Sequence, residues 1–137
     1  MSTAFLDTAG WLAALGPDQA QHRESVATYQ SWIAGGVSLV TTNLVVAEMQ
    51  VLLMRRRGTA AALQFIDDLY ADPGHEVVFV DRDLERAAVD RWLRKFADHP
   101  ISLADAVSFE VMRARRLRDV LTLDAHFRTA GFSVHPR

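Results

Sequence analysis

Apolar residues along the chain recur in two alternating rhythms, short apolar runs and longer stretches spaced at three and four residues, and this alternation predicts the fold class. Ala4, Phe5 and Leu6 form a first short strand that ends at Asp7. A helical turn around Trp11 to Leu15 follows, and Gly16 and Pro17 stop it. Val26, Tyr29 and Ile33 give residues 20–34 a helical period, closed by Gly35 and Gly36. Val37 to Thr41 is a strand, and Thr42 or Asn43 can cap the helix that runs to about Arg57 before Gly58. A helix over residues 60–70, a turn at Asp72, Pro73 and Gly74, and a strand over 77–80 come next. Residues 81–97 and 103–116 read as helices, 120–123 as a strand ending at Asp124, and 133–135 as a last strand after a short helical turn. Strands alternating with helices of ten or more residues pair in parallel through helical crossovers, so an α/β sheet covered on both faces is expected.

Composition narrows the setting. A chain of 137 residues, half hydrophobic and 23% charged, has the balance of one globular domain, and no linker, repeat or low-complexity tract divides it. Residues 1–137 are therefore expected to form a single domain. Without cysteine there is no disulfide scaffold, thiol nucleophile or thiolate zinc site, which suits a reducing cytoplasm. No signal peptide is apparent, and no stretch approaches the roughly 20 apolar residues of a spanning helix, so no membrane partner is expected. A net charge of -2 means that any nucleic-acid contact must be local rather than spread over the surface. Lys95 is the single lysine; the other basic residues are arginines, with runs at 55–57 and at Arg113, Arg115, Arg116 and Arg118. Arginine grips phosphate bidentately, although each run also reads as a solvated helix end.

The chemistry-bearing candidates are carboxylates. Open parallel sheets bind ligands beyond the carboxyl ends of their strands, where Asp7 and Asp124 fall. Glu48 shares a helical face with Leu44, Val45, Val51 and Leu52, an apolar stripe in which an acid should be paired, protonated or bound to a cation. Asp105 fits a capping box with Ser102, its side chain returning to the N-cap backbone, and Asp124 can cap the turn that starts at Ala125. Asp81 suits an N-cap, with Asp83 and Glu85 in the first turn of its helix. Taken singly, each acid has such a structural role. Taken together, four carboxylates converging above one sheet edge are stable only if some are protonated or divalent cations balance them. Hard oxygen ligands select Mg²⁺ or Mn²⁺, and that chemistry suits phosphodiester hydrolysis.

These segments carry a resemblance. Asp7-Thr8, the run Thr42 to Glu48, Ser102-Leu103-Ala104-Asp105-Ala106 and the run Leu121 to Phe127 resemble, in order and spacing, the motifs of PIN-domain ribonucleases, most closely the VapC-type toxin branch. The resemblance covers nearly the whole chain. It implies a PIN-like α/β/α sandwich with about five parallel strands, endoribonuclease activity dependent on Mg²⁺ or Mn²⁺, 5′-phosphate and 3′-hydroxyl products, a homodimer, and a VapB-type antitoxin whose tail enters the active-site groove. The family's acids carry over onto Asp7, Glu48, Asp105 and Asp124 as catalytic metal ligands, with Thr8 and Thr122 as supporting polar residues. Arg113, Arg116 and Arg128 are candidates for RNA phosphate contacts.

His126 stands beside Asp124 and could touch substrate, though a partly exposed histidine at a helix start is the commoner case. His22, His75, His99 and His135 show no metal-ligand spacing, and Trp11, Trp32 and Trp92 read as core or interface residues. The competing readings are a catalytically idle PIN-like binding module and a solitary RNA-processing nuclease without an antitoxin. A haloacid-dehalogenase pattern is disfavoured by Ala9, which stands where a second acid is required, and a receiver domain by the lack of a late lysine.

Overall fold

The computed structural model describes residues 1–8, 10–11 and 22–137. Its strands are β1 (Thr3–Leu6), β2 (Ser38–Thr42), β3 (His75–Val78), β4 (Asp119–Leu121) and β5 (Ser133–His135). They form one five-stranded sheet in the order β3-β2-β1-β4-β5, with every pairing parallel. The helices are α1 (His22–Ala34), α2 (Asn43–Arg57), α3 (Thr59–Ala71), α4 (Arg82–Ala88), α5 (Leu103–Ala114) and α6 (His126–Thr129). Of the first expected helical turn, Trp11 is helical, as are Thr8 and Gly10 before it; residues 12–15, and residues 20–21 of the second helix, lie outside the described residues.

The central strand is apolar on both sides: Ala4, Phe5 and Leu6 are fully buried, as a parallel strand covered by helices requires. Adjacent strand residues point to opposite faces, and β3 shows what covers each. His75 joins Trp11, Tyr29 and Phe65 of the first helical turn, α1 and α3, with Trp11 and Phe65 ring centroids 4.9 Å apart. Glu76 points the other way and takes Arg115, just past α5, in a bidentate pair at 2.6 and 2.7 Å. The second aromatic cluster contains Trp92, Phe109 and Phe127, with Phe109 4.8 Å from Phe127 edge-on. All three tryptophans are buried, as expected of core residues.

Element ends shift by one or two residues elsewhere, with β4 ending at Leu121 rather than 123 and α5 at Ala114 rather than 116, and boundaries depart most in two places. The third strand lies at His75–Val78 rather than 77–80, because His75 and Glu76 already pair with Leu39 and Val40, while the Val80 amide leaves the sheet for the Asn43 side chain at 2.8 Å. Phe79, inside the expected strand, is 65% exposed. The helix expected over residues 81–97 is α-helical only to Ala88 and then widens into a π turn at Val89–Leu93, which carries Trp92 into the core. Asp81 caps α4 as expected, accepting from the Leu84 amide at 2.8 Å.

Two glycines have geometric reasons. Gly58 joins α2 to α3 with φ of 91°, a conformation costly for residues with a side chain. A Cβ on Gly10 would lie 2.3 Å from the Leu121 carbonyl oxygen, so only glycine lets the turn after β1 rest against the end of β4. That contact brings the ends of the two strands into register for the site.

Candidate active site

Because β1 and β4 are parallel neighbours, both deliver their next residues to the same sheet edge. The Asp7 amide donates to the Leu121 carbonyl at 3.1 Å, continuing the ladder one step beyond the strands. Thr122 follows β4 and is 1% exposed. Its hydroxyl donates to Asp7 Oδ2 at 2.7 Å and accepts from the Asp124 amide at 3.0 Å, tying the two strand-end acids into one network. Asp124 Oδ1 accepts from the His126 amide at 2.9 Å, so the expected turn-capping role is real, and the same carboxylate also interacts with Asp105.

Asp105 enters from α5. Ser102 caps this helix by accepting from the Asp105 amide at 3.1 Å, which fulfils one half of the expected capping box. The other half does not form as expected, since the Asp105 carboxyl turns toward the acids. It interacts with Asp124, Asp7 and Glu48, and its Oδ2 lies 3.9 Å from His126 Nδ1.

Glu48 requires a correction. The buried face of α2 is made by Val45, Val46, Met49 and Leu53, and Glu48 lies on the exposed flank with Val51 instead of within a buried stripe. It borders an open apolar groove of about 420 Å³ lined by Ala47, Val51 and Leu52. It still faces the cluster electrostatically, as its charge is felt by both Asp7 and Asp105. The Thr8 hydroxyl is buried without a well-formed hydrogen bond, yet lies near enough to Glu48 to favour its ionised form.

The electrostatics report a shortage of positive charge. Burial raises the Asp7 pKa to about 6, with added repulsion from Asp124 and Glu48, against opposing hydrogen bonds from the Thr122 side chain and the Thr8 backbone. Asp105 is pushed well above the carboxylate range by burial first, then by the Asp7 charge and by a hydrogen bond with Asp124 that favours a shared proton. Burial also raises Glu48. Among the described residues, no arginine forms an ion pair with any of these four acids; the one basic group in reach is His126, with Nδ1 3.2 Å from Asp124 Oδ1. Ligand atoms from Asp105, Asp124 and His126 all lie within 4.8 Å of one another, a spacing one cation can bridge. An oxygen-rich donor set whose members repel one another fits a hard divalent ion.

The arginine candidates are placed differently. Arg113 is held by Glu110, with Nε 3.1 Å from Oε1 and Nη2 2.8 Å from Oε2. Arg116 occupies the left-handed position after α5 with φ of 58°, and Arg128 is exposed on α6. Glu110 itself had no sequence signal beyond being an acid inside a helix. His126 had one that was discounted, its position two residues after a strand-end aspartate.

Comparison with known proteins agrees with this geometry. The PIN domain family model matches residues 4–133. The chain is 31% identical over 128 residues, 93% of its length, to the 23S rRNA-specific endonuclease VapC20 of Mycobacterium tuberculosis, of which 94% is covered. The crystal structure of that protein, described as a sarcin-ricin loop cleaving toxin, superposes with a TM-score of 0.81 at 30% identity, covering 95% of this chain and 96% of the other. VapBC2 from Rickettsia felis, bound to a promoter DNA fragment, shares the fold with a TM-score of 0.70 at 12% identity, covering 97% of each chain. The chain belongs to the PIN-domain family, and its five-stranded parallel sheet with flanking helices is the PIN-like α/β/α architecture. No helix among the described residues is long and apolar enough to cross a membrane.

Proposed function

We propose that this protein is the endoribonuclease toxin of a toxin-antitoxin pair, acting on 23S rRNA with Mg²⁺ or Mn²⁺ held by Asp7, Glu48, Asp105 and Asp124. The observation that carries the reading is the convergence of Asp7, Asp105 and Asp124, with Glu48 at the margin, on one sheet edge, where burial raises the pKa values of Asp7, Asp105 and Glu48 and repulsion among the acids adds to the rise for Asp7 and Asp105. When bound, the ion supplies an activated water and positive charge against the phosphodiester.

The remaining roles belong to the chain. Thr122 fixes the rotamer of Asp7 and the backbone of Asp124 at once, so both acids are set before any ligand arrives. Thr8 supports Glu48 from the turn after β1. Among the expected phosphate contacts, Arg128 is exposed on α6 just beyond Asp124, whereas Arg116 lies with Met1, Ser2 and Thr3 at the amino-terminal edge of the sheet, away from the acids, and Arg113 would have to leave Glu110 to serve. The relative's name supports rRNA as the substrate, and family membership supports a VapB-type antitoxin whose segment lies in the apolar groove beside Glu48. We read residues 1–137 as one domain working as a homodimer.

The decisive experiment incubates the purified, antitoxin-free protein with ribosomes and with isolated 23S rRNA, in Mg²⁺, Mn²⁺ or EDTA, and maps the ends. A discrete cut that needs the metal is expected. Equal cleavage in EDTA, or no cleavage of RNA in either metal, would overturn the reading.

A further inference from the structure

His126 opens α6, and its own backbone fixes where its ring can go. Its amide donates to Asp124 Oδ1 at 2.9 Å, and the ring Nδ1 then lies 3.2 Å from that same oxygen and 3.9 Å from Asp105 Oδ2. The three side chains are only partly covered, at 28%, 28% and 16% exposure for His126, Asp124 and Asp105, so an ion can reach all of them from solvent. Octahedral ligands at about 2.1 Å from an ion stand roughly 3 Å from their neighbours, so Nδ1 and Oδ1 are spaced as adjacent donors to one centre. Two other histidines have their rings committed elsewhere: His75 to the Tyr29 hydroxyl at 2.7 Å and His135 to Asp119 at 2.9 Å. The partners found for the His126 ring are the two acids of the site.

We propose that His126 is a nitrogen ligand of the metal centre, sharing one ion with Asp105 and Asp124, and that it gives this centre a preference for Mn²⁺ over Mg²⁺. The inference rests on the metal-nuclease reading above and extends it, since that reading uses carboxylates alone. Mg²⁺ favours oxygen donors and keeps its waters, whereas imidazole is a borderline donor that suits transition metals better. The competing role for the ring is a hydrogen bond from Nδ1 to Asp124, which would orient the carboxylate without touching the ion.

Electron spin echo envelope modulation separates the two roles, because a directly bound ¹⁴N modulates the Mn²⁺ echo. The probe is Mn²⁺ alone, added to antitoxin-free protein, with Mn²⁺ and Mg²⁺ affinities measured in parallel by calorimetry. The wild type should show nitrogen modulation. His126→Asn and His126→Gln, checked for folding by circular dichroism, should lose it, with Mn²⁺ affinity falling about tenfold or more and Mg²⁺ affinity nearly unchanged. Mn²⁺ that binds, is lost in Asp7→Asn and shows no nitrogen coupling would overturn the assignment of His126 while leaving the carboxylate centre standing. Absence of both Mn²⁺ and Mg²⁺ binding to the folded wild type would overturn the assignment and the metal-nuclease reading together.

Discussion

Two groups of acids lie in this molecule with opposite partners. Glu110 on α5 is 3% exposed, yet Trp92 Nε1 donates to it at 3.0 Å, Arg113 forks onto both oxygens, and Arg91 Nε lies 3.1 Å away. Burial pushes its pKa up, but the hydrogen bonds from Arg113 and Trp92 and the charges of Arg113 and Arg91 outweigh that and leave it lowered. Asp7, 5% exposed, receives a threonine hydroxyl and backbone support instead, and its pKa is raised to about 6. One acid is satisfied by the protein, and the other is held ready for something the protein does not contain. A low-solvent carboxylate is therefore informative only together with an account of its cations.

The sharpest way to break this contrast is to neutralise each acid and read activity and stability together. Asp7→Asn should lower RNA cleavage on the order of a hundredfold to a thousandfold, the scale of removing one preorganised electrostatic contact, while leaving thermal stability equal or higher. Glu110→Ala should do the reverse. It strands Trp92 and two arginines and costs about 2 kcal/mol, less than a fully buried pair because both arginines reach solvent, with cleavage per folded molecule retained. Denaturant melts and single-turnover cleavage on the same preparations check both.

A middle-sized effect concerns pH. Asp7 binds its proton more tightly when folded, with the pKa raised from 3.8 to about 6, so the folded state is favoured by protonation. In EDTA, stability should therefore fall as pH rises from about 4 through 6, and the raised Asp105 should extend the decline above that window. Added Mg²⁺ should restore more stability at pH 8 than at pH 5, since it competes with those protons. Melting temperatures over that range, with and without Mg²⁺, would show it; a metal effect independent of pH would contradict the idea that these acids await a cation. The smallest effect should come from Thr122→Val, which keeps the shape and removes the hydroxyl. The Asp7 pKa should climb further, and the acid limb of the cleavage profile should move to higher pH, with only a modest loss at the optimum.

Much of this was legible in the chain and some could not be. Asp7 and Asp124 are readable because a parallel sheet sends its strand ends to one edge, and short apolar runs lead up to both. Glu48 was placed in a buried stripe because a helical period fixes which residues share a face, not which face meets the core. The face formed by Val45, Val46, Met49 and Leu53 won, being fully apolar, and the acid was left at the rim. Asp105 looked like a cap because Ser102 is one; the direction of its carboxyl depends on Asp124, nineteen positions away and on another element. The cage around Glu110 was invisible for the same reason, since Trp92 arrives from a π turn that no hydrophobic period announces.

The Thr122 to Asp7 hydrogen bond joins residues 115 positions apart, and β4 fits between β1 and the final strand. A growing chain that has not reached residue 124 thus lacks the last of the four acids and the threonine that fixes the first. Pairings of such long sequence separation are slow to close, so the assembly of this acidic edge waits on the pairing of the first strand with the fourth.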